Sequence, residues 1–170
     1  MNLILRLIKV LVMSLLRPAL TPLGESVVRF RVWPHDLDLN LHMNNGRYLT
    51  IMDLGRFDLM LRNGGARAAW AGRWRPMVAS ATIRFRRGLG PFVRYELRTR
   101  LLCWDQKWIF LEQRFEKDGE VYATALVKVV FLGPREKIAP QEVAQAVGHD
   151  GASPEMPEAV LSWLEWERQA

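Results

Sequence analysis

Apolar and polar side chains alternate along most of the second half of the chain, and this alternation is typical of β-strands. It is clearest over residues 93–103 and 121–131, where most inward positions are apolar or small. Because successive side chains of a strand point to opposite faces of a sheet, the pattern predicts strands with one buried face. Further strands are predicted over residues 25–33, from 77 to about 86, and over 108–115.

Residues 46–63 show helical spacing of apolar side chains instead. Leu49 and Phe57 belong to a second set of apolar residues that fills most of the remaining circumference, so we expect this helix to be buried nearly all round. Asn44 or Asn45 can cap its start, and the Asn-Gly-Gly sequence that begins at residue 63 can end it.

Residues 1–17 predict a second helix, with a narrow and mostly basic stripe on an otherwise apolar surface. Its longest charge-free apolar stretch, residues 10–16, has seven residues, whereas a helix that spans a bilayer needs about 20. Three interpretations stay open: a helix packed on the domain or on a partner subunit, an interfacial anchor with its basic stripe toward lipid headgroups, and an uncleaved signal-anchor. The stripe consists of Asn2, Arg6, Lys9, Met13 and Arg17.

The order of elements predicts an α+β fold. A strand precedes the buried helix, four long strands follow it, and two helices are predicted near 141–147 and 155–169. Consecutive hairpins would give an antiparallel meander with the buried helix on its concave face. We expect an N-terminal helix and link at 1–23, one domain at 24–134, and a helical extension at 135–170.

Composition and charge narrow the function classes. The chain is 49% hydrophobic and 25% charged, which is globular rather than disordered composition. Its single cysteine, Cys103, excludes an intramolecular disulfide and a cysteine-based zinc cluster, and it is expected to be a buried strand residue. The net charge of +6 favours an anionic partner such as a nucleic acid, an anionic lipid or a phosphorylated ligand. No nucleic-acid motif accompanies the charge, so nucleic-acid binding is not predicted.

The most unusual segment is residues 35–48, where two carboxylates, two imidazoles and three amides crowd before the buried helix. Counted from Asp36 as a calcium loop, position six is Leu41 instead of glycine and position twelve is Arg47 instead of glutamate. No helical pair of histidines supports zinc either, so no metal site is predicted. A polar turn that caps the helix explains part of the cluster.

This segment carries a family resemblance. The run D-L-D-L-N-L-H-M-N-N-G-R-Y-L resembles the signature of the hotdog-fold acyl-CoA thioesterases of the 4-hydroxybenzoyl-CoA thioesterase-like group, and plant acyl-ACP thioesterases carry a similar stretch. The later runs I-R-F-R-R-G-L-G-P-F and L-L-C-W-D-Q-K-W-I-F-L-E-Q-R-F are similar to thioesterase-superfamily-member-six-like proteins. The resemblance covers roughly residues 27–131. It implies the hotdog fold, an antiparallel sheet wrapped around one helix, with subunits paired and acyl-CoA sites at their interface.

The resemblance also implies roles for individual residues. Asp38 matches the catalytic aspartate, which acts on the thioester carbonyl as a nucleophile or as the base for a water molecule. Asn40 and His42 match an assisting or orienting pair. Asn45 and Tyr48 match positions that lead into the helix, and the resemblance implies a catalytic role for Asn45 and substrate binding for Tyr48.

A second carboxylate and a set of arginines complete the expected site. Asp53 and Arg56 resemble an acidic-x-x-Arg pattern of the same helix, which makes Asp53 the alternative catalytic acid and Arg56 an expected substrate-binding residue. Arg86 and Arg87 are the expected contacts for the phosphates of coenzyme A, because guanidinium forks suit phosphate oxygens. Peptide NH groups of residues 44–47, at the start of the helix, would stabilise the oxyanion of the reaction.

The expected function is hydrolysis of a fatty or aromatic acyl-CoA, or of an acyl carrier protein thioester, with no metal or redox cofactor. The alternative is a non-catalytic acyl-CoA or lipid binder that attaches to membranes through residues 1–17. In either case we expect a homodimer or homotetramer, because a long sheet edge should be paired, and a cytoplasmic protein with membrane contact left open.

Overall fold

A computed structural model describes residues 3–169 of the chain. Asn2, part of the basic stripe, lies outside these described residues. The helices are α1 Leu3–Leu16, α2 Asn45–Arg62, α3 Gly65–Gly72, α4 Pro140–Ala146 and α5 Glu158–Gln169. The strands are β1 Ser26–Arg31, β2 Arg75–Phe85, β3 Arg94–Trp104, β4 Ile109–Lys117, β5 Glu120–Leu132 and the short β6 Lys137–Ile138.

All strand pairs are antiparallel, in the order β1-β3-β4-β5-β2, and β6 pairs with the end of β5. The predicted hairpins that link β3, β4 and β5 are confirmed. The predicted hairpin between β2 and β3 is wrong, because β2 pairs along its length with β5, from Arg75 opposite Leu132 to Phe85 opposite Ala123. Residues 86–93 therefore cross from the edge strand β2 to β3, the second strand from the opposite edge. Glycine and proline in this segment are typical of a turn, but they do not specify the partner strand.

Helix α2 lies on the sheet through a close contact at Gly55. A Cβ atom at this position would lie 2.6 Å from Thr99 Oγ1 and 2.7 Å from Leu97 Cδ2, so only glycine lets the helix approach this closely. Tyr48, Ile51, Met52, Leu54 and Leu59 of α2 are buried in the same core.

One face of α2 is not covered, so the prediction of burial all round is wrong there. Leu49 and Phe57 are 47% and 49% exposed, and Asp53 lies between them at helical spacing. The neighbouring β2 also exposes Met77 and Val78. Among the described strands β2 pairs only with β5, so its other edge is open over eleven residues.

The sequence did not predict α3. Asn63 and Gly64 end α2 as expected, with Gly64 in the left-handed conformation at φ 86°. The Asn63 side chain then accepts a hydrogen bond of 3.0 Å from the Gly65 NH, and the alanine-rich residues that follow form a new helix.

The C-terminal helix begins at Glu158 rather than at residue 155. Val160 and Trp163 are its buried side chains and pack against Phe110 and Cys103. Cys103 is buried as expected, and burial raises the pKa of its thiol to about 11.

Helix α1 packs on the domain with its polar side inward. Arg6, Val10 and Ser14 are its buried residues. The Ser14 hydroxyl donates a 2.6 Å hydrogen bond to the buried Asp58 carboxylate, and Arg17 donates one of 2.9 Å to the Val27 carbonyl. Packing on the domain is therefore confirmed, whereas a basic stripe that faces lipid headgroups is wrong. No helix among residues 3–169 is both long and apolar enough to cross a membrane.

The arginine-rich sheet face is partly neutralised by glutamates. Arg98 contacts Glu116 at 2.8 Å and Arg100 contacts Glu112 at 2.7 Å. These arginines are therefore occupied within the sheet and are poor candidates for binding phosphates.

Substitution of Gly55 tests the close contact between helix and sheet. We expect Gly55→Val to lower the free energy of unfolding by about 2–3 kcal/mol through overpacking, because valine and glycine differ little in helix propensity. Urea unfolding measures this change. Gly90→Val is the control, since a Cβ at Gly90 has nothing within 4 Å. Equal stability of the two variants would contradict the contact.

Candidate active site

A compact loop between β1 and α2 holds Asp38. A short 3-10 helix, Pro34–Asp36, is followed by a bridge between Leu37 and Met43. The Asp38 NH donates to the His42 carbonyl at 2.9 Å, and Leu41 adopts the left-handed conformation at φ 57°. The loop thus reverses the chain just before α2 begins.

The Asp38 carboxylate is oriented by the backbone of this loop. Its Oδ1 accepts hydrogen bonds from the Asn40 NH at 2.8 Å and from the His42 NH at 3.4 Å. Within residues 3–169, Oδ2 has no hydrogen-bond donor, and the side chain is half-buried. One oxygen therefore fixes the side chain while the other stays available for a reacting group.

Asp36 anchors the same loop from beneath. Its carboxylate is buried and pairs with the buried Arg6 guanidinium through two hydrogen bonds, of which the one to Oδ1 is 3.0 Å long. It also accepts a 2.9 Å hydrogen bond from the Trp33 NH, while the Asp36 carbonyl accepts one of 2.8 Å from the Asn44 NH. Asp36 thus stabilises the turn through these bonds, and its ion pair with Arg6 joins α1 to the loop.

Tyr48 lies beneath the site. Its ring is buried in edge contacts with Phe85 and Phe115, at centroid distances of 5.0 and 4.7 Å. Burial raises the pKa of Tyr48, a hydrogen bond with the Leu89 backbone opposes this, and the negative charge of Asp38 adds to it. Tyr48 is therefore a neutral hydroxyl whose electrostatic environment includes Asp38.

A second loop, residues 86–92, lies against the first. The Met43 NH donates to the Leu89 carbonyl at 2.8 Å. The His42 ring covers Gly88, where a Cβ atom would lie 2.4 Å from His42 Cδ2. In the described chain this ring has no hydrogen bond to a carboxylate. The histidine instead holds the two loops together.

The start of α2 carries the amide groups that the sequence proposed as oxyanion donors. Asn44 is the N-cap, and its side chain accepts a 2.9 Å hydrogen bond from the Gly46 NH. The Arg47 NH donates to the Asn44 carbonyl at 2.8 Å. Among the described residues the Asn45 NH has no acceptor, and the Asn45 side chain is exposed. The exposed Asn40 contributes its backbone NH to Asp38 and no side-chain bond.

Asp53 and Arg56 belong to a separate part of the molecule. Asp53 lies eight residues beyond Asn45 along α2, about 12 Å at the helical rise. Arg56 pairs with Asp53 and donates a 2.5 Å hydrogen bond to Gln113 Oε1. Burial lowers the pKa of Arg56, and the Asp53 charge opposes this. The two candidate carboxylates are thus not brought together within one subunit.

An apolar cavity of about 190 Å³ opens beside Asp53 and Arg56. Its walls come from α2, the sheet and α4, and include Leu59, Leu111, Phe131 and Val143. This volume is below the roughly 300 Å³ of small ligand pockets, so it fits part of an apolar tail rather than a whole acyl-CoA.

Arg86 and Arg87 end up near the Asp38 loop although they are distant from it in sequence. Both precede Gly88, on which His42 lies, and both side chains are exposed. Arg87 pairs with Glu120, whereas Arg86 has no carboxylate partner among the described residues. In residues 3–169 no three His, Cys, Asp or Glu side chains are grouped so that they could hold a metal ion.

Sequence reasoning missed Gln113. This buried side chain accepts from Arg56 and donates to the Met52 carbonyl and to Thr99 Oγ1, each at 2.9 Å. Its inward position in an alternating strand was the available signal, since a buried amide needs specific partners.

Breaking the ion pair under the Asp38 loop should be costly. We expect Asp36→Leu to lower the free energy of unfolding by about 3–5 kcal/mol, because it leaves the Arg6 guanidinium buried without a counter-charge, and Arg6→Met in addition should restore much of this. Urea unfolding measures both variants. The control is Glu165→Ala in an exposed pair with Arg168, for which we expect at most about 0.5 kcal/mol. A loss for Asp36→Leu as small as that of the control would contradict the anchoring role.

Comparisons with known proteins give the family. The sequence profile of the Thioesterase-like superfamily matches residues 32–164. Protein THEM6 of Xenopus laevis is 40% identical over 138 residues, which cover 79% of this chain and 65% of that protein. Probable thioesterase YBR096W of Saccharomyces cerevisiae is 29% identical over 119 residues, which cover 68% of this chain and 51% of that protein. The chain therefore spans about half to two thirds of the length of these relatives.

Solved structures share the fold. YbaW, a probable thioesterase from Escherichia coli, matches with a TM-score of 0.67 and 23% identity, over 72% of this chain and 96% of that one. The BH1999 gentisyl-coenzyme A thioesterase matches with a TM-score of 0.61 and 24% identity, over 72% of this chain and 99% of that one. The expected antiparallel sheet around one helix is thereby confirmed as a hotdog fold. The chain belongs to the Thioesterase-like superfamily.

Proposed function

We propose that this protein hydrolyses acyl-CoA thioesters, with Asp38 as the reacting carboxylate. The observation that carries the proposal is the Asp38 side chain, fixed through one oxygen by two loop amides and placed just before α2. Family membership supports the reaction class, and the BH1999 relative is itself named as a coenzyme A thioesterase.

The proposed chemistry uses Asp38 in one of two ways. As a base, its carboxylate takes a proton from a water molecule whose oxygen attacks the thioester carbonyl carbon. As a nucleophile, it attacks the carbon itself and forms a mixed anhydride that water then hydrolyses. In both routes the C–S bond breaks and the coenzyme A thiolate is protonated. Neither route needs a metal or a redox cofactor.

The start of α2 is proposed to stabilise the oxyanion. The Asn45 NH is a donor without an acceptor in the described chain, and the positive end of the helix dipole adds to its field. Asn40 and His42 support the site indirectly, through the loop backbone and through the contact with Gly88. Tyr48 fixes the floor of the site.

Coenzyme A would bind through its phosphates along the loop that follows β2. Arg86 is the better candidate contact, because Arg87 already pairs with Glu120. A basic surface also suits the acidic acyl carrier proteins. The substrate panel below therefore includes thioesters of both carriers.

The apolar cavity beside Asp53 is the proposed site for part of the acyl tail. Because the Asp53 carboxylate lines this cavity, it is the alternative reacting acid, with Arg56 and Gln113 as its support. Substitution of each acid separately distinguishes the two.

The exposed face of α2 and the open edge of β2 favour a homodimer or a larger homo-oligomer. Leu49, Phe57 and Met77 are large apolar residues about half exposed on this side, and an open eleven-residue edge is a template for another strand. Such an interface would also cover Asp53 and the mouth of the cavity.

A panel of fatty and aromatic acyl-CoA and acyl carrier protein thioesters, with thiol release measured, tests the proposal. We expect wild type to hydrolyse at least one substrate and Asp38→Asn to lose about a hundredfold or more in kcat, because an amide is neither a base nor a nucleophile. Asp53→Asn should lose less.

The matched control is Asp118→Asn, since Asp118 is an exposed hairpin residue to which no role in the site is assigned. Full activity of Asp38→Asn, or loss confined to Asp53→Asn, would refute the role of Asp38. Binding of acyl-CoA by wild type without any hydrolysis would favour the non-catalytic alternative.

Charge placed on the exposed α2 face should disrupt the oligomer. We expect Phe57→Arg to shift the mass measured by light scattering toward that of the monomer, because a guanidinium would be buried unpaired at the interface. Leu161→Arg, at an exposed apolar position of α5, is the control and should leave the mass unchanged. A monomeric wild type would contradict the interface.

A further inference from the structure

Helix α1 has its apolar side on the outside. Its buried residues Arg6, Val10 and Ser14 face the domain and two of them are polar. Of the exposed α1 positions, Lys9 alone is polar. Surface helices of globular proteins normally show the reverse arrangement. The apolar side chains that are more than half exposed are Ile4, Leu5, Ile8, Val12, Leu15 and Leu16.

This orientation is fixed by contacts and is not reversible by rotation of the helix. Arg6 is paired with the buried Asp36, and Ser14 is hydrogen-bonded to the buried Asp58. A rotation that hid the aliphatic face would break the ion pair and leave the Asp36 and Asp58 carboxylates without these partners.

The apolar surface continues from α1 to α3. A groove between the two helices is lined by Leu11 of α1, by Leu61 of α2, and by Trp70 and Trp74. Trp70 is 88% exposed, which is unusual for so large an apolar ring. Tryptophan favours the boundary between a hydrocarbon phase and water.

The charge around this surface is of one sign. The sequences of α1 and α3 contain no acidic residue. Arg67, Arg73 and Arg75 beside Trp70 are exposed, and in the described chain none of them has a carboxylate partner. This contrasts with the arginines of the sheet, which pair with glutamates.

We propose that the outer face of α1, together with Trp70 of α3, docks on the surface of an anionic lipid bilayer. The aliphatic side chains would enter the acyl boundary while Arg67, Arg73 and Arg75 contact headgroup phosphates. A lipid surface fits better than a protein partner. Protein interfaces carry about one hydrogen bond per 100–200 Å², and the centre of this α1 face offers no polar side chain to form them.

Vesicle flotation with the full chain tests the docking surface. The vesicles are phosphatidylcholine alone, or phosphatidylcholine with about 30% phosphatidylserine, at about 0.1 M salt. We expect wild type to float with the anionic vesicles and more weakly with the neutral ones. The combined Ile8→Gln, Val12→Gln and Leu15→Gln variant, in which helix propensity is kept, should lower partitioning about tenfold or more.

A second variant and a matched control separate docking from a general loss of apolar surface. Trp70→Ala should weaken flotation on its own, whereas Trp166→Ala, which removes the exposed tryptophan of α5, should not. Circular dichroism and urea unfolding establish that each variant is folded.

Three outcomes would overturn the proposal. Wild type could remain unbound with both vesicle compositions, or the triple variant could float as well as wild type. The triple variant could instead lower the oligomer mass while wild type shows no flotation, which would assign the face to another copy of the chain. Because flotation does not depend on thioester hydrolysis, its result is independent of the proposed catalytic function.

Discussion

The buried ion pair between Arg6 and Asp36 constrains the two parts of the molecule that matter for function, helix α1 and the loop that holds Asp38. Asp36 lies two residues before Asp38, and its carboxylate is held by Arg6 of α1 and by the Trp33 NH. A buried charge must be paired to be tolerated, so α1 and the loop are fixed relative to each other. The position of the candidate catalytic carboxylate therefore depends on a helix that is remote from it in sequence.

The same pair explains why α1 has its aliphatic side outward. The polar residues of the helix satisfy groups that are buried in the domain: Arg6 pairs with Asp36, and Ser14 donates to Asp58, which also accepts from Ser26. The apolar residues are left facing out. The domain thus gains a fixed hydrophobic surface beside the α1–α3 groove, and the thioesterase-like core does not need to rearrange to present it.

Local patterns were enough to predict much of this fold. Alternation located β3 and β5, helical spacing located α2, and the polar run around Asp38 identified the loop that the structure places before α2. These features depend on residues close in sequence. The position of β2 beside β5 did not follow, because turn residues mark a reversal without choosing a partner. The chain restarts as α3 after the left-handed Gly64, where the Gly65 NH donates a hydrogen bond to the Asn63 side chain.

In the candidate site, too, the features that depend on residues close in sequence were predictable. The residue types around Asp38 suggested a carboxylate near helix amides, and the structure places that loop directly before α2. Three other features could not be predicted without knowledge of the sheet topology. They are the contact of this loop with residues 86–92, the inward orientation of Arg6, and the burial of Gln113. Such contacts join segments that no local pattern connects.

The central claim is that a thioester carbonyl reacts at Asp38, although a second acid, Asp53, lines the apolar cavity. A crystal structure of the protein with a non-hydrolysable acyl-CoA analogue measures this directly. We expect an oxygen of the Asp38 carboxylate to lie about 3–3.5 Å from the carbon that replaces the carbonyl carbon, or one water molecule away from it. An analogue whose reacting carbon lies against Asp53 and far from Asp38 would contradict the claim.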